Sequence, residues 1–368
     1  MRLFQPSVLS TVLLLSIASA ASQNASSSGC SQSAGSFSSE VSTRNVSGRS
    51  YLISMPSNYS TQTSSPVVLS FHGAGQSAEI QLESDQLTNS HVNDQYIVIY
   101  PEAVNEQWQV SPDSTTDDVG YVSDILDDVE SSFCIDLARI YATGKSQGGG
   151  MVGLLACDQT LSTRIAAFAP VSGAFYVKGE NGCDPYTVDM QCSPGRADIP
   201  IIEFHGGDDT VIPYYGDGDK RDACLPAIPH WVENWATLNN LSTSNTSTSI
   251  TKSATLYQFG DGSTLGLVSH VYDGTSIGHV WPTTQVFAED DGGTATASFN
   301  ATPMILDFFS KYALNITDST PASSGGNDTG TGSGSGNDTD SGSGPSGGHA
   351  YGRTVWWLLG VYLAQALL

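Results

Sequence analysis

The stretch YATGKSQGGGM, Tyr141 to Met151, decides the fold. The residues before it, ARIYATG (Ala138–Gly144), form a short apolar run of the kind that makes a buried strand. The residues after it, MVGLLACDQ, read as a helix. Ser146 sits in the bend, with Gly144 and Gly148 two residues to either side. Gly-x-Ser-x-Gly at a strand-to-helix turn is the pattern of a nucleophile elbow, where backbones crowd and glycines remove clashing Cβ atoms. The serine oxygen would stand above a helix N-terminus, whose amides favour a developing anion.

Working outward, both ends of the 368-residue chain separate from its middle. Residues 1–20 combine Arg2, an apolar centre and a small-residue end at Ala18–Ala20, the pattern of a secretory signal peptide. Residues 317–343 are a Ser/Gly/Thr/Asp-rich stretch expected to be a flexible stalk. Residues 344–368 end in the apolar TVWWLLGVYLAQALL, the pattern of a GPI-anchor signal, with attachment expected near Ser341 to Ser343. Residues 21–316 remain as one expected folded domain. A secreted chain, anchored at the cell surface or wall, is the expected setting. Nine Asn-x-Ser/Thr sites (Asn24, Asn45, Asn58, Asn240, Asn245, Asn300, Asn315, Asn327 and Asn337) agree with glycosylation there. The formal net charge of −24 opposes nucleic acid binding.

Six cysteines behind a leader imply disulfides, and no Cys/His cluster suggests a metal. Cys134 precedes the Ala138–Gly144 strand. Cys157 lies 11 residues after Ser146, about 16 Å down a helix that runs back along that strand. Geometry therefore predicts a Cys134–Cys157 bridge.

The middle alternates apolar runs with helical patterns. RSYLISMP (Arg49–Pro56), PVVLSFHGAG (Pro66–Gly75), YIVIYPEA (Tyr96–Ala103), RIAAFAPVSG (Arg164–Gly173) and IPIIEFHGGDD (Ile199–Asp209) read as strands. So do TLYQFGD (Thr255–Asp261) and LGLVSHVYDG (Leu265–Gly274). Helices are expected at Asp118–Phe133, with Asp118 as its cap, at Ala227–Asn240 and at Thr302–Leu314. This order predicts an α/β fold: a mainly parallel central sheet with helices on both faces. Chemistry then collects where strands end.

A serine needs a base, and the base needs an orienting carboxylate. His279 follows the last strand, in a loop able to reach over the sheet edge. His270 and His230 lie within element patterns. His72 and His205 end strands but precede glycines, which suggests backbone roles. Asp208 and Asp209 follow a buried strand. The order serine, aspartate, histidine is that of α/β-hydrolases. The expected oxyanion donors are the amides of Gln147 and, in HGAG, Ala74. Trp108 and Trp281 are the candidate flat walls for an aromatic substrate.

With these residues in place, the chain resembles the fungal feruloyl esterases of the C type and the related polyhydroxybutyrate depolymerase-like esterases. The resemblance rests on HGAG, DDVGYVSDILDDVESSFCID, RIYATGKSQGGGMVGLLACD, EFHGGDDTVIPY, ACLPAIPHWVENWA, IGHVWP and NATPMILDFFSKYAL. It implies an α/β-hydrolase fold with no large lid domain, and a Ser146–Asp209–His279 triad, choosing Asp209 over Asp208. It also implies hydrolysis of hydroxycinnamate esters on feruloylated plant polysaccharide, with no cofactor. Acetylxylan esterase and polyester depolymerase activities are alternatives on the same scaffold, as is a cell-surface binding protein with a disused site.

Overall fold

A continuous apolar run must be covered on both faces, and the runs named above are so covered. The computed structural model describes residues 25–31, 41–180, 182–274, 277–285 and 296–316. The expected leader, stalk and anchor signal lie outside these residues. In chain order come β1 (Ser42–Val46), β2 (Arg49–Ser54), β3 (Ser65–Phe71), α1 (Ala78–Asp85), β4 (Ile97–Pro101), α2 (Asp118–Ser132) and β5 (Ile135–Lys145). Then follow α3 (Gln147–Cys157), α4 (Leu161–Arg164), β6 (Ala167–Val171), β7 (Val177–Lys178), β8 (Ile201–Gly206), β9 (Asp217–Lys220) and β10 (Ala223–Leu225). The chain continues through α5 (Ile228–Leu238), β11 (Asn245–Ser249), β12 (Ala254–Phe259), β13 (Val268–Asp273) and α6 (Ala301–Phe309).

Ten strands form one sheet in the order β1-β2-β4-β3-β5-β6-β8-β13-β12-β11. The block from β4 to β13 is parallel, and antiparallel pairs flank it on both sides. Side chains alternate between faces along each strand. Val67, Leu69 and Phe71 of β3 join α2, α3 and α5 in one core, while Val68 joins α1 and α6 in the other. This order, with the serine turn after β5, is the α/β-hydrolase fold. A small antiparallel sheet, β7-β10-β9, is built from the segments after β6 and β8.

Two expectations need correction. Asp117, not Asp118, caps α2, its side chain accepting from the Gly120 amide at 2.9 Å. Asp118 is buried inside the first turn and pairs with Arg49 at 2.7 Å. The Cys134–Cys157 bridge is not formed. The pairs are Cys30–Cys134, Cys157–Cys192 and Cys183–Cys224. Cys134 is taken by the N-terminal segment, which lies along the start of β5: Ser26 bridges Asp136, and the Ser27 amide donates to Ile135 O at 3.0 Å. Cys157 faces the loop between β7 and β8 instead. Replacing Cys30 and Cys134 by serine opens a link across 104 residues. The expected loss is about 2–5 kcal/mol of unfolding free energy, read by denaturant titration.

The last helix returns to the amino ends of the strands. Beyond α6, the Leu314 amide donates to Ala138 O at 2.9 Å, and Tyr141 Oη donates to Tyr312 O at 2.7 Å.

Candidate active site

Ser146 occupies the turn between β5 and α3 with φ +59° and ψ −121°. A non-glycine residue there stores roughly 1–3 kcal/mol of strain, so the surroundings must hold it. Its amide donates to Val171 O at 3.0 Å, and its carbonyl accepts from Gly150 and Ala174 at 2.9 Å each. The flanking glycines are required by contact. A Cβ on Gly148 would lie 2.1 Å from Phe71 O, and one on Gly144 would lie 2.8 Å from both Gly148 and Phe71 O. Neighbouring chains therefore approach too closely for any side chain.

The HGAG loop abuts the serine: a Cβ on Gly73 would sit 3.3 Å from that of Ser146. Within this loop the Gly73 amide donates to Gln76 Oε1 at 3.1 Å and the Gly75 amide to Glu106 O at 3.0 Å. The Ala74 amide between them has no hydrogen-bond partner among the described residues. Neither does the Gln147 amide, which opens α3 and so lacks an intrahelical acceptor. The Gln147 side chain is fixed, accepting from the Trp108 amide at 3.2 Å and donating to Gln107 Oε1 at 2.9 Å.

His279 and Asp209 meet. His279 Nδ1 lies 2.7 Å from Asp209 Oδ2, and both residues are buried. A carboxylate can only accept, so Nδ1 carries the proton and Nε2 is left with its lone pair. Asp209 Oδ1 accepts from the Val211 and Ile212 amides at 2.9 and 2.8 Å. Burial pushes the Asp209 carboxyl up, but bonds from His205 and His279 outweigh it and hold the group well below the carboxylate range. Burial also lowers His279, with the Lys145 and His205 charges adding to it against the opposing pull of Asp209. Asp208 is exposed; its amide donates to Ile277 O at 3.1 Å and so ties the two loops together. Ser146, Asp209 and His279 thus all follow parallel strands (β5, β8 and β13) at their carboxyl ends.

Neither tryptophan is a substrate wall. Trp108 is 0% exposed, with Nε1 donating to His72 O at 2.8 Å and its ring edge-on to Phe71. Trp281 is 1% exposed and donates to Thr302 Oγ1 at 3.0 Å. Thr302 in turn donates to Asp85 O at 2.5 Å, so Trp281 fastens the loop that carries His279. Each indole found its polar partner inside the protein, which burial demands. A cavity of about 400 Å³ opens elsewhere, along α3 from Gly150 to Cys157, with stacked Phe175 and Trp231 in its wall.

His72 does serve the backbone, through Gly73 O at 2.7 Å and the Ala103 amide at 3.1 Å. His205 does more: it bonds Ile212 O at 2.8 Å, but its other nitrogen meets Glu203 Oε1 at 2.8 Å. The sequence signal was present in IIEFHG (Ile201–Gly206). Alternation puts Glu203 and His205 on one face of a buried strand, where a lone carboxylate would be untenable.

The chain is 32% identical over 174 residues to feruloyl esterase B of Piromyces equi, covering 46% of this chain and 30% of that protein. It is 27% identical over 193 residues to a protein named probable feruloyl esterase C from Aspergillus niger, covering 50% and 65%. The chain is similar to proteins named feruloyl esterases. It also matches, at 30% identity over 169 residues, a bifunctional acetylxylan esterase/xylanase of Neocallimastix patriciarum, covering 45% of this chain and 22% of that one. The matches span less than two thirds of the length of each of these three relatives. No protein-family model matches the chain.

Proposed function

We propose that this chain is a serine esterase that releases ferulic and related hydroxycinnamic acids from plant cell-wall polysaccharide. The observation that carries the proposal is the 2.7 Å Asp209–His279 contact at the same sheet edge as the strained Ser146 turn. His279 Nε2 removes the Ser146 proton as the serine oxygen attacks the ester carbonyl. The Ala74 and Gln147 amides receive the oxyanion, each such donor being worth about 2.7–4 kcal/mol in the transition state. His279 then protonates the departing sugar oxygen. Water, losing its proton to His279, attacks the acyl-enzyme and frees the acid.

The test is a rate panel on methyl ferulate, acetylated xylan and polyhydroxybutyrate. Turnover of methyl ferulate well above the other two supports the reading. Preference for acetylated xylan selects the second reading, acetylxylan esterase, which the Neocallimastix relative favours. Three disulfides favour an oxidising, extracytoplasmic setting. We carry the GPI anchor as part of the proposal; release of cell-surface enzyme by a phosphatidylinositol-specific phospholipase tests it.

The base must be neutral, and its pKa is depressed. Activity therefore falls as pH drops through that value, and the acid limb lies below the ordinary histidine value of about 6.5. A kcat/KM profile with its limb above that value contradicts the site. Asp209→Asn leaves substrate affinity but frees the imidazole to take the wrong tautomer. Its kcat should fall by about 10⁴, measured on methyl ferulate.

A further inference from the structure

Behind Asp209 lies a row of buried ionisable groups that the reaction above does not use. Glu203 and His205 of β8 are both fully buried, and Glu203 Oε1 lies 2.8 Å from His205 Nδ1. His205 Nε2 faces two acceptors, Ile212 O at 2.8 Å and Asp209 Oδ2 at 3.4 Å. On the neighbouring strand β13, His270 Nδ1 lies 2.8 Å from Glu203 Oε2. Its Nε2 is 3.1 Å from Tyr214 Oη. No group of three or more His, Cys, Asp or Glu among the described residues is arranged to hold a metal ion.

We propose that Glu203 and His205 are positioning residues of the esterase site, a buried carboxylate–imidazolium pair that pins Asp209 and through it sets the basicity of His279. The inference rests on the esterase reading above. A carbonyl oxygen can only accept, so His205 Nε2 carries a proton. Nδ1 faces a carboxylate and carries the second. The cation thus stands between two anions, Glu203 and Asp209. Burial pulls His205 down, yet these two neighbours outweigh it and its pKa is pushed up to about 10. Asp209 Oδ2 is then approached by two imidazoles while Oδ1 holds two amides, which leaves the carboxylate one orientation. A positive charge so close also opposes protonation of His279. The other titratable groups near the pair are Tyr214 in the following loop and His270 and Tyr272 on β13. Lys145, at the end of β5, also acts on His279.

His205→Gln keeps a polar side chain and removes the charge. Protonated His279 then persists to higher pH, and the acid limb of kcat/KM on methyl ferulate moves up by about one pH unit. Glu203→Gln removes the anion that holds the second proton on His205, and the limb moves the same way. A purely structural pair would lower kcat at every pH without moving the limb, and that result in both folded variants overturns the proposal. Should the variants not fold, the wild-type full chain decides. Nitrogen-15 histidine spectra at pH 8 are expected to show both ring nitrogens of His205 protonated; a neutral ring overturns the proposal. A wild-type chain inactive on every ester refutes the esterase reading instead, while the spectrum still reports the charge of His205.

Discussion

Ser146→Ala abolishes ester hydrolysis, with an expected loss of roughly 10⁴–10⁶ in kcat. The proposed chemistry passes through one oxygen, and alanine has nothing to replace it. Stability should hardly change, because alanine occupies the same strained backbone, at φ +59°. Ser146→Gly separates the two roles of the position. Glycine adopts positive φ freely, so it relieves part of the roughly 1–3 kcal/mol of strain. It also makes the unfolded chain more flexible, which offsets some of that gain. The expected result is a glycine variant as inactive as alanine but more stable by about 1 kcal/mol. Burst titration with a p-nitrophenyl ester and denaturant curves on the three proteins would check both. An alanine variant with near-wild-type turnover would remove the serine from the reaction.

Gly148→Ala is expected to damage the protein more than any other single methyl group at the elbow. Helix propensity alone favours the change by about 1 kcal/mol. Contact opposes it: the new Cβ would stand 2.1 Å from Phe71 O. Neither partner is a flexible side-chain end, so β3 or α3 must move. Overpacking of this kind costs about 1–3 kcal/mol or more, and the clash therefore outweighs propensity. The displacement also reaches Ser146, two residues away, and a shift of about 1 Å at a nucleophile costs about 10² in rate. Thermal unfolding and kcat should fall together. A variant with raised stability and full activity would contradict the elbow packing.

Much of this was legible before any coordinates. The apolar runs at β3, β4, β5 and β6 have no polar face to mislead the eye, because both faces are buried. Polar edges were illegible. STRNV of β1 and NTSTS of β11 are largely exposed, so no apolar alternation marks them. Helix α1 was missed for the opposite reason: its buried positions include Gln81, Ser84 and Asp85. The Asp85 carboxylate accepts from Ser70, Gln81, Tyr100 and the Leu87 amide, so the helix is fastened by hydrogen bonds where a pattern search looks for leucine. The three loops expected to meet were readable because each follows a strand. The Glu203–His205 pair was hidden by the glycine after His205, which suggested a backbone role for that histidine. Trp108 and Trp281 were misjudged because a tryptophan near a reactive loop reads the same whether it lines the cleft or braces it. Disulfide partners depended on the paths of the N-terminal segment and of the loop between β7 and β8, which no periodicity encodes.

The hydrogen bond from Leu314 to Ala138 bears on what a bulky substrate would meet. The backbone leaves the last helix at the rim opposite the one that carries Ser146. In the proposed reaction, a bulky polymer approaching Ser146 would therefore not run into the segment around Leu314.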